Sequence, residues 1–359
     1  MKVILATGGS AGHVFPALAT AREFKNRGHE VALAGVFREW SEYARADAYP
    51  LTELSARGLN THSFPSVLIS SIYMLKSLRE SVILLRQNSP DRVLGFGGYA
   101  AFPIVLAAVL TGIPAMIHEQ NVRPGRANRL LAGLVSRIAV SFDRSKAYFP
   151  DRKTIVTGYP VYRSSGLTLS KAEAAAAFGF SADRFTILIL GGSQGSQFVN
   201  QCFLKTIPCL KQHLSFQVIH ISGHTDYPEV EKAHRNQDYP SFVRPFWDNM
   251  PMAYRAADLV ICRSGAGTVT EIAACGSRAI LIPYPHAQGH QKENAQVLVQ
   301  AGRAQMFEQQ DLTPEVLAQI IIDTYRKTRE GGDMTRQPDP IYVPDAAVRL
   351  VEETVRLKR

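Results

Sequence analysis

Apolar runs of strand length that end in glycine recur along the chain, and each is followed by a stretch with helical spacing. Residues 2–7 form the first run and lead into Gly8-Gly9-Ser10-Ala11-Gly12; a helix-like segment over 16–27 stops at Gly28, and 30–34 reads as a second strand. The same rhythm returns about 180 residues later, where the run 185–190 leads into Gly191-Gly192-Ser193-Gln194-Gly195 and a helix-like segment starts at Phe198. Between them, 93–117 carries no charge, yet Gly95, Gly97, Gly98, Pro103, Gly112 and Pro114 break it far below the roughly 20 apolar residues of a membrane span. It reads as strand, glycine loop, helix, turn and strand, a buried βαβ unit. Two such openings predict an α/β chain of two Rossmann-like domains, 1–160 and 164–340, with the crossover near Gly158-Tyr159-Pro160. The second domain continues with strands at 217–222, 259–262 and 279–283 and helices at 268–275 and 291–300. A last helix, 345–357, has Asp345 as its expected N-cap and apolar residues at Ala347, Leu350, Val351 and Val355. That stripe must be buried on one domain or the other.

Length agrees with two domains: 359 residues is long for one. With 46% hydrophobic and 20% charged residues the chain is expected to be globular, which excludes disordered and fibrous classes. Cys202, Cys209, Cys262 and Cys275 form no C-x-x-C pair and no Cys/His cluster, as expected of reduced thiols rather than a disulfide scaffold or zinc site. The N-terminus enters a strand without a signal-peptide hydrophobic region, so export by that route is not expected. The net charge of +9 is uneven: residues 1–160 hold 19 Lys/Arg against 11 Asp/Glu, residues 161–359 hold 21 against 20. A phosphate-bearing substrate or an anionic membrane surface fits such a half; nucleic acid is not expected, because no nucleic-acid-binding motif accompanies the charge.

Small residues between a strand and a helix let backbone N–H groups approach a phosphate at the positive helix end, although the same pattern serves a plain tight turn. Neither glycine loop is G-x-G-x-x-G or a P-loop, which weakens ATP hydrolysis and simple dinucleotide binding as functions. The sharpest pattern is Cys262-Arg-Ser-Gly-Ala-Gly-Thr-Val-Thr-Glu271, with Ser264 and Thr268 able to cap a helix and Glu271 three residues into it. A carboxylate there can accept both vicinal hydroxyls of a ribose while the turn holds its phosphate. A Thr268–Glu271 capping box is the plainer alternative, but it explains neither Arg263 nor the glycines. His286, His290, Gln291 and Asn294 follow a strand at its carboxyl end, where open α/β sheets bind ligands and where surface loops also lie. His13 beside the first loop is a candidate base, as is a group in His118-Glu119-Gln120-Asn121; a structural role is the alternative for either histidine.

In this order the segments resemble the MurG family of glycosyltransferases, which add N-acetylglucosamine to lipid I in bacterial peptidoglycan synthesis. The likeness rests on Thr7-Gly-Gly-Ser-Ala-Gly-His-Val-Phe-Pro16, Gly95-Phe-Gly-Gly-Tyr99, Gly112-Ile-Pro114, His118-Glu-Gln-Asn121 with Gly125 and Asn128, Gly191-Gly-Ser-Gln-Gly195, Cys262-Arg-Ser-Gly265 with Glu271-Ile-Ala-Ala274, and Gln291 with Asn294-Ala295. The resemblance implies a GT-B fold, two Rossmann-like domains facing across a cleft, with the C-terminal helix (345–359) returning to the N-terminal domain. It implies UDP-N-acetylglucosamine as donor, held by the C-terminal domain, and lipid I as acceptor, facing the N-terminal one. By position, Ser193 and Ala266, Gly267, Thr268, Val269, Thr270 and Glu271 would hold the diphosphate and ribose, with Glu271 on the ribose hydroxyls. Trp247 would meet the uracil through its backbone, with Arg263 and Gln291 flanking nucleotide and sugar. Ser10, Ala11, Gly12, His13 and Asn121 would line the acceptor side, near Tyr99, Glu119 and Asn128.

Three positions depart from the family: Ala11 adds a methyl to the first loop, Gly158-Tyr-Pro-Val-Tyr162 puts tyrosine where the family has arginine and leaves Arg163 one position late, and the uracil position is tryptophan. The implied reaction is attack of the acceptor's 4-hydroxyl on C1 of the sugar with inversion, UDP leaving. His13 is expected as base or acceptor-orienting group and Glu119 as the second candidate base. With no Asp-x-Asp motif, neither a metal nor any other cofactor is expected. The stretch 67–85, with Val67, Leu68, Ile69, Ile72 and Leu75 among Lys76, Arg79 and Arg86, suits either peripheral docking on anionic lipid or core packing. The resemblance implies a peripheral enzyme on the cytoplasmic face of the inner membrane. Another GT-B transferase with a different acceptor, and a non-catalytic nucleotide-sugar-binding membrane scaffold, stay open at this level.

Overall fold

A computed structural model describes residues 1–57, 64–162, 166–287, 289–330 and 337–358, apart from the side chains of 39 and 64–69. The chain divides into two compact units, Met1–Tyr162 with Val343–Arg359, and Arg163–Tyr342. Counted over these units, the first holds 23 Lys/Arg against 14 Asp/Glu and the second 17 against 17, so the whole net charge belongs to the first.

The first unit runs β1 (Lys2–Gly8), α1 (Ala11–Asn26), β2 (Glu30–Val36), α2 (Ser41–Ala46), β3 (Leu51–Glu53), α3 (Phe64–Asn88), β4 (Arg92–Gly95), α4 (Gly98–Leu110), β5 (Ala115–Glu119), α5 (Arg126–Leu131), β6 (Arg137–Val140) and β7 (Thr154–Val156). Its strands pair in the order β3-β2-β1-β4-β5-β6-β7, all parallel. The second unit has α6 (Lys171–Ala176), β8 (Phe185–Leu190), α7 (Gln197–His213), β9 (Phe216–Ile221), α8 (Tyr227–His234), β10 (Ser241–Arg244), α9 (Met250–Ala256), β11 (Leu259–Cys262), α10 (Ala266–Cys275), β12 (Ala279–Leu281), α11 (His290–Gln300), β13 (Ala304–Met306) and α12 (Pro314–Arg329). Its order is β10-β9-β8-β11-β12-β13, again all parallel. Both units therefore share the doubly wound order 3-2-1-4-5-6, and in each the chain reverses direction between the first and fourth strands. Central strands of such a sheet are covered on both faces, which is why they read as unbroken apolar runs: every residue of β8 and β9 is buried.

The last helix, α13 (Ala346–Val355), packs on α1 in the first unit, with Leu350 and Val351 fully buried and the Leu357 carbonyl accepting from Arg92. Asp345 precedes it but makes no capping bond; its carboxylate pairs with Arg349 at 2.9 Å instead. Two helices start earlier than the sequence pattern suggests. Helix α1 begins at Ala11 rather than 16, and α10 at Ala266 rather than Thr268, because glycine-rich first turns hide helical periodicity. Among the described residues no helix is long and apolar enough to cross a membrane.

The basic apolar stretch is buried on one side and exposed on the other. On α3, Leu78, Val82 and Leu85 pack into the core, while Ile72, Leu75 and Ile83 stand exposed beside exposed Lys76, Arg79 and Arg86. The side chains of Val67, Leu68 and Ile69 lie outside the described residues.

Candidate functional site

In each unit most of the expected residues lie on loops and helix starts that follow the carboxyl ends of the strands. In the first, β1 delivers Gly9 and Ser10 to the first turn of α1, where the N–H groups of Ala11 and Gly12 have no partner within the helix. Ser10 is extended (φ −156°, ψ 158°), and its hydroxyl does not cap the helix but meets Nδ1 of His13 at 3.0 Å. Ala11 is 7% exposed, so the methyl it adds to the loop is turned into the protein. The His13 carbonyl is held by the Thr7 hydroxyl at 2.7 Å and its ring by the Gly8 carbonyl. Burial outweighs that bond and lowers the imidazole pKa to about 4, although the ring keeps partial exposure and solvent relieves part of the shift.

The loop after β4 packs against this turn. Gly98 lies at φ +73°, where a Cβ would come within 3.3 Å of the His13 ring, and Tyr99 lies over Gly9. Gly97 sits against the amide of Asn128. His13, Tyr99, Asn128, Glu119 and Asn121 are thus one neighbourhood. Glu119 ends β5 and is buried; one carboxylate oxygen accepts from the N–H (2.9 Å) and side chain (3.2 Å) of Asn121, the other from the Gly125 N–H (3.0 Å) and Asn128 (2.9 Å). Burial raises its pKa and the four donors oppose that. With both oxygens doubly engaged, Glu119 has the geometry of a residue that holds Asn121 and Asn128 rather than of an open base. His118 is sealed in the core between the Gly158 carbonyl and Gln120, its pKa pulled down to about 4 by burial, and has the structural role.

In the second unit the loops after β8 and β11 meet. Ser196 caps α7 and also accepts from Nε of Arg263 at 3.1 Å. Its Nη1 donates to the Ile282 (3.1 Å) and Pro283 (3.2 Å) carbonyls and its Nη2 to Gln309 (2.7 Å). Arg263 is therefore a buried strut whose charge has no carboxylate partner among these contacts. Gly265 precedes the first turn of α10 and its side-chain cap is absent; Ser264 instead donates to the Gln291 carbonyl at 2.8 Å, and Oε1 of Gln291 accepts from the N–H groups of Ser264 (3.2 Å) and Tyr284 (2.9 Å). Asn294 reaches the Ser264 carbonyl. These bonds fasten α11 to the turn that opens α10.

With α10 starting at Ala266, Glu271 is six residues in and the Thr268–Glu271 capping box does not form. Gly267, Thr268 and Glu271 are partly exposed, whereas Val269 and Thr270 are buried and the Val269 N–H already bonds the Gly265 carbonyl at 2.9 Å. Those last two residues are thus directed inward, away from the open side of the turn. Burial raises the Glu271 carboxyl to about 7, opposed by the nearby Tyr254 phenol. Ser193 is partly exposed in the glycine loop. Trp247 packs edge-on against Phe242 and beside Phe178, with its indole N–H buried. Arg163 lies outside the described residues; Tyr162 stacks on Phe15 at 5.1 Å and accepts from Arg22. Ser196 and Gln309 escape the sequence reading, although a serine just before an apolar helix is a cap signal that points to the first.

Residues 3–140 match the glycosyltransferase family 28 N-terminal domain and residues 186–349 its C-terminal domain. Two curated relatives carry the name UDP-N-acetylglucosamine–N-acetylmuramyl-(pentapeptide) pyrophosphoryl-undecaprenol N-acetylglucosamine transferase. That of Myxococcus xanthus is 36% identical over 99% of this chain and 93% of its own, and that of Halothermothrix orenii 35% over 99% and 100%. The chain belongs to glycosyltransferase family 28, in its MurG branch. Among solved structures, MurG of Acinetobacter baumannii superposes with a TM-score of 0.72 at 28% identity, covering 99% of each chain. The UDP-GlcNAc 2-epimerase of Neisseria meningitidis, solved with UDP-GlcNAc, gives 0.73 at 16% identity over 99% of this chain and 100% of its own, which shows the shared GT-B fold alone. Membership in the family makes the chain an N-acetylglucosaminyltransferase.

Proposed function

We propose that this chain transfers N-acetylglucosamine from UDP-N-acetylglucosamine to the 4-hydroxyl of N-acetylmuramic acid in lipid I, with inversion at C1 and release of UDP, forming lipid II for peptidoglycan. The observation that carries it is the full-length likeness to transferases of that name, 36% over 99% of the chain. The site residues support the reading. The free N–H groups at the start of α10, with Ser193, suit a diphosphate, and the charge of Arg263 behind them adds positive potential. Glu271 would accept the ribose hydroxyls, backbone near Trp247 would read the base, and Gln291, fixed by Ser264, would face the sugar.

On the acceptor side, a neutral His13 can take a hydrogen bond from the attacking hydroxyl. Glu119 acts one step behind, through Asn121 and Asn128. The exposed face of α3, apolar and basic, would seat the first unit on an anionic bilayer at the cytoplasmic face of the inner membrane, and the confinement of the net charge to that unit supports this. UDP release with a lipid I analogue and a panel of UDP-sugars, with and without EDTA, tests the whole. Turnover is expected with UDP-N-acetylglucosamine and acceptor together, undiminished by EDTA. Preference for another UDP-sugar would favour a different GT-B transferase, and tight binding without release a non-catalytic scaffold.

A further inference from the structure

A chain of buried polar groups runs from the loop before β10 to the glycine loop after β8. Asn200, in the first turn of α7, donates through Nδ2 to the Ser222 carbonyl and to the Asp226 carboxylate, both at 2.8 Å. Two acceptors on one side fix which way that amide points, so its Oδ1 must accept, and Nε2 of His220 at 3.0 Å must be the N–H. Burial holds His220 neutral, so its Nδ1 is an acceptor, and Nε2 of His234 at 3.1 Å must donate to it. His234 is held neutral in the same way, so its Nδ1 accepts the Tyr239 hydroxyl at 3.0 Å. Asn200, His220, His234 and Tyr239 are all buried, and Phe203 stacks on the second imidazole. Every hydrogen bond in the chain therefore has one allowed direction.

The inner end of this chain grips the glycine loop. Gly195 lies at φ +78°, and a Cβ there would fall on the Ser222 carbonyl oxygen and within 2.8 Å of Gly223 Cα. Asn200 thus holds the carbonyl against which Gly195 packs, so that a shift of this carbonyl would be felt in Gly191–Ser196. We propose that Tyr239, His234, His220 and Asn200 form a positioning relay that sets the Gly191–Ser196 loop for the donor's diphosphate. The inference rests on the reading of that loop as part of the donor site. Loss of the Tyr239 hydroxyl would leave Nδ1 of His234 unpaired and loosen the outer end of the relay, so that His234, His220 and through them Asn200 are held less firmly.

Steady-state kinetics with varied UDP-N-acetylglucosamine, on wild type and on His234→Phe, Tyr239→Phe and His234→Gln, tests this. One hydrogen bond is worth at most about a factor of ten, so His234→Phe should raise KM about tenfold and Tyr239→Phe about threefold, with kcat within about twofold. His234→Gln keeps a donor and an acceptor and should restore KM to within about twofold of wild type. A merely structural role would lower the folded fraction and hence kcat, leaving KM alone; that result in both His234→Phe and Tyr239→Phe overturns the relay. If His234→Phe does not fold, Tyr239→Phe decides. Imidazole nitrogen NMR should show both histidines as Nε2–H tautomers, and an Nδ1–H form of either overturns the proposal. Should Glu271→Gln raise KM while the relay variants do not, the donor site stands and the relay falls; should none raise it, both fall.

Discussion

Glu271 makes UDP-sugar binding depend on pH in a way that can be worked from its surroundings. Burial lifts its carboxyl to about 7, while acceptance of two ribose hydroxyls needs the ionised form. At pH 6 about one molecule in eleven is ionised, so affinity should be about tenfold below its plateau above pH 8, with log Kd falling by about one per pH unit below 7. Binding at pH 7 should release about half a proton, visible by calorimetry in two buffers of different ionisation heat. UDP-N-acetylglucosamine is the proper titrant because it carries no phosphate monoester to titrate near neutrality. Glu271→Gln should abolish the slope and weaken binding at pH 8 by roughly 10- to 100-fold, the worth of one charge-assisted hydrogen bond. The ligand-free protein carries the opposite sign. A carboxyl raised from 4.5 to about 7 contributes stability below pH 4.5 that is lost as pH rises through about 7, at most about 3 kcal/mol and less where Glu271 meets solvent. A Kd independent of pH between 5.5 and 8.5, or a slope that survives in Glu271→Gln, would refute the ribose assignment.

Other consequences are simpler to state. Glu119→Gln must turn an NH2 toward two of the four donors it now satisfies, so thermal unfolding should fall by roughly 5–10 °C, from about 2–4 kcal/mol lost. An unchanged melting temperature with lost turnover would return Glu119 to the role of base. His13→Ala should cut turnover of the lipid I analogue at least about 100-fold while leaving KM for the UDP-sugar within about twofold, and intact turnover would remove it from the chemistry. Ile72→Asp with Leu75→Asp should release the protein from anionic vesicles without lowering its melting temperature, because both side chains are already exposed, 57% and 67%. Equal vesicle binding by wild type and double variant would place the docking surface elsewhere.

The doubly wound fold was legible because each buried strand reads as an apolar run and each crossover turn needs small residues. Those are local demands, written at 2–12, 93–98, 185–195 and 259–267. Helix starts were less legible: Ala11–Gly12 and Ala266–Gly267 have no helical stripe, since a turn that faces a ligand has nothing to bury. Candidate residues could be named from motifs, but their roles could not. Glu119 looks like a free carboxylate in sequence; only the return of α5 brings Gly125 and Asn128 to its second oxygen. Arg263 is expected from its motif to flank nucleotide and sugar, and only the fold brings Ile282, Pro283 and Gln309 to its donors. The amphipathic stripe of α3 likewise could not say which residues meet the core. Sequence alone determined what recurs along the chain, because strand period, turn chemistry and net charge are properties of neighbours. Which groups lose water, and which partners they find, depended on segments tens to hundreds of residues apart, and only the tertiary structure decided that.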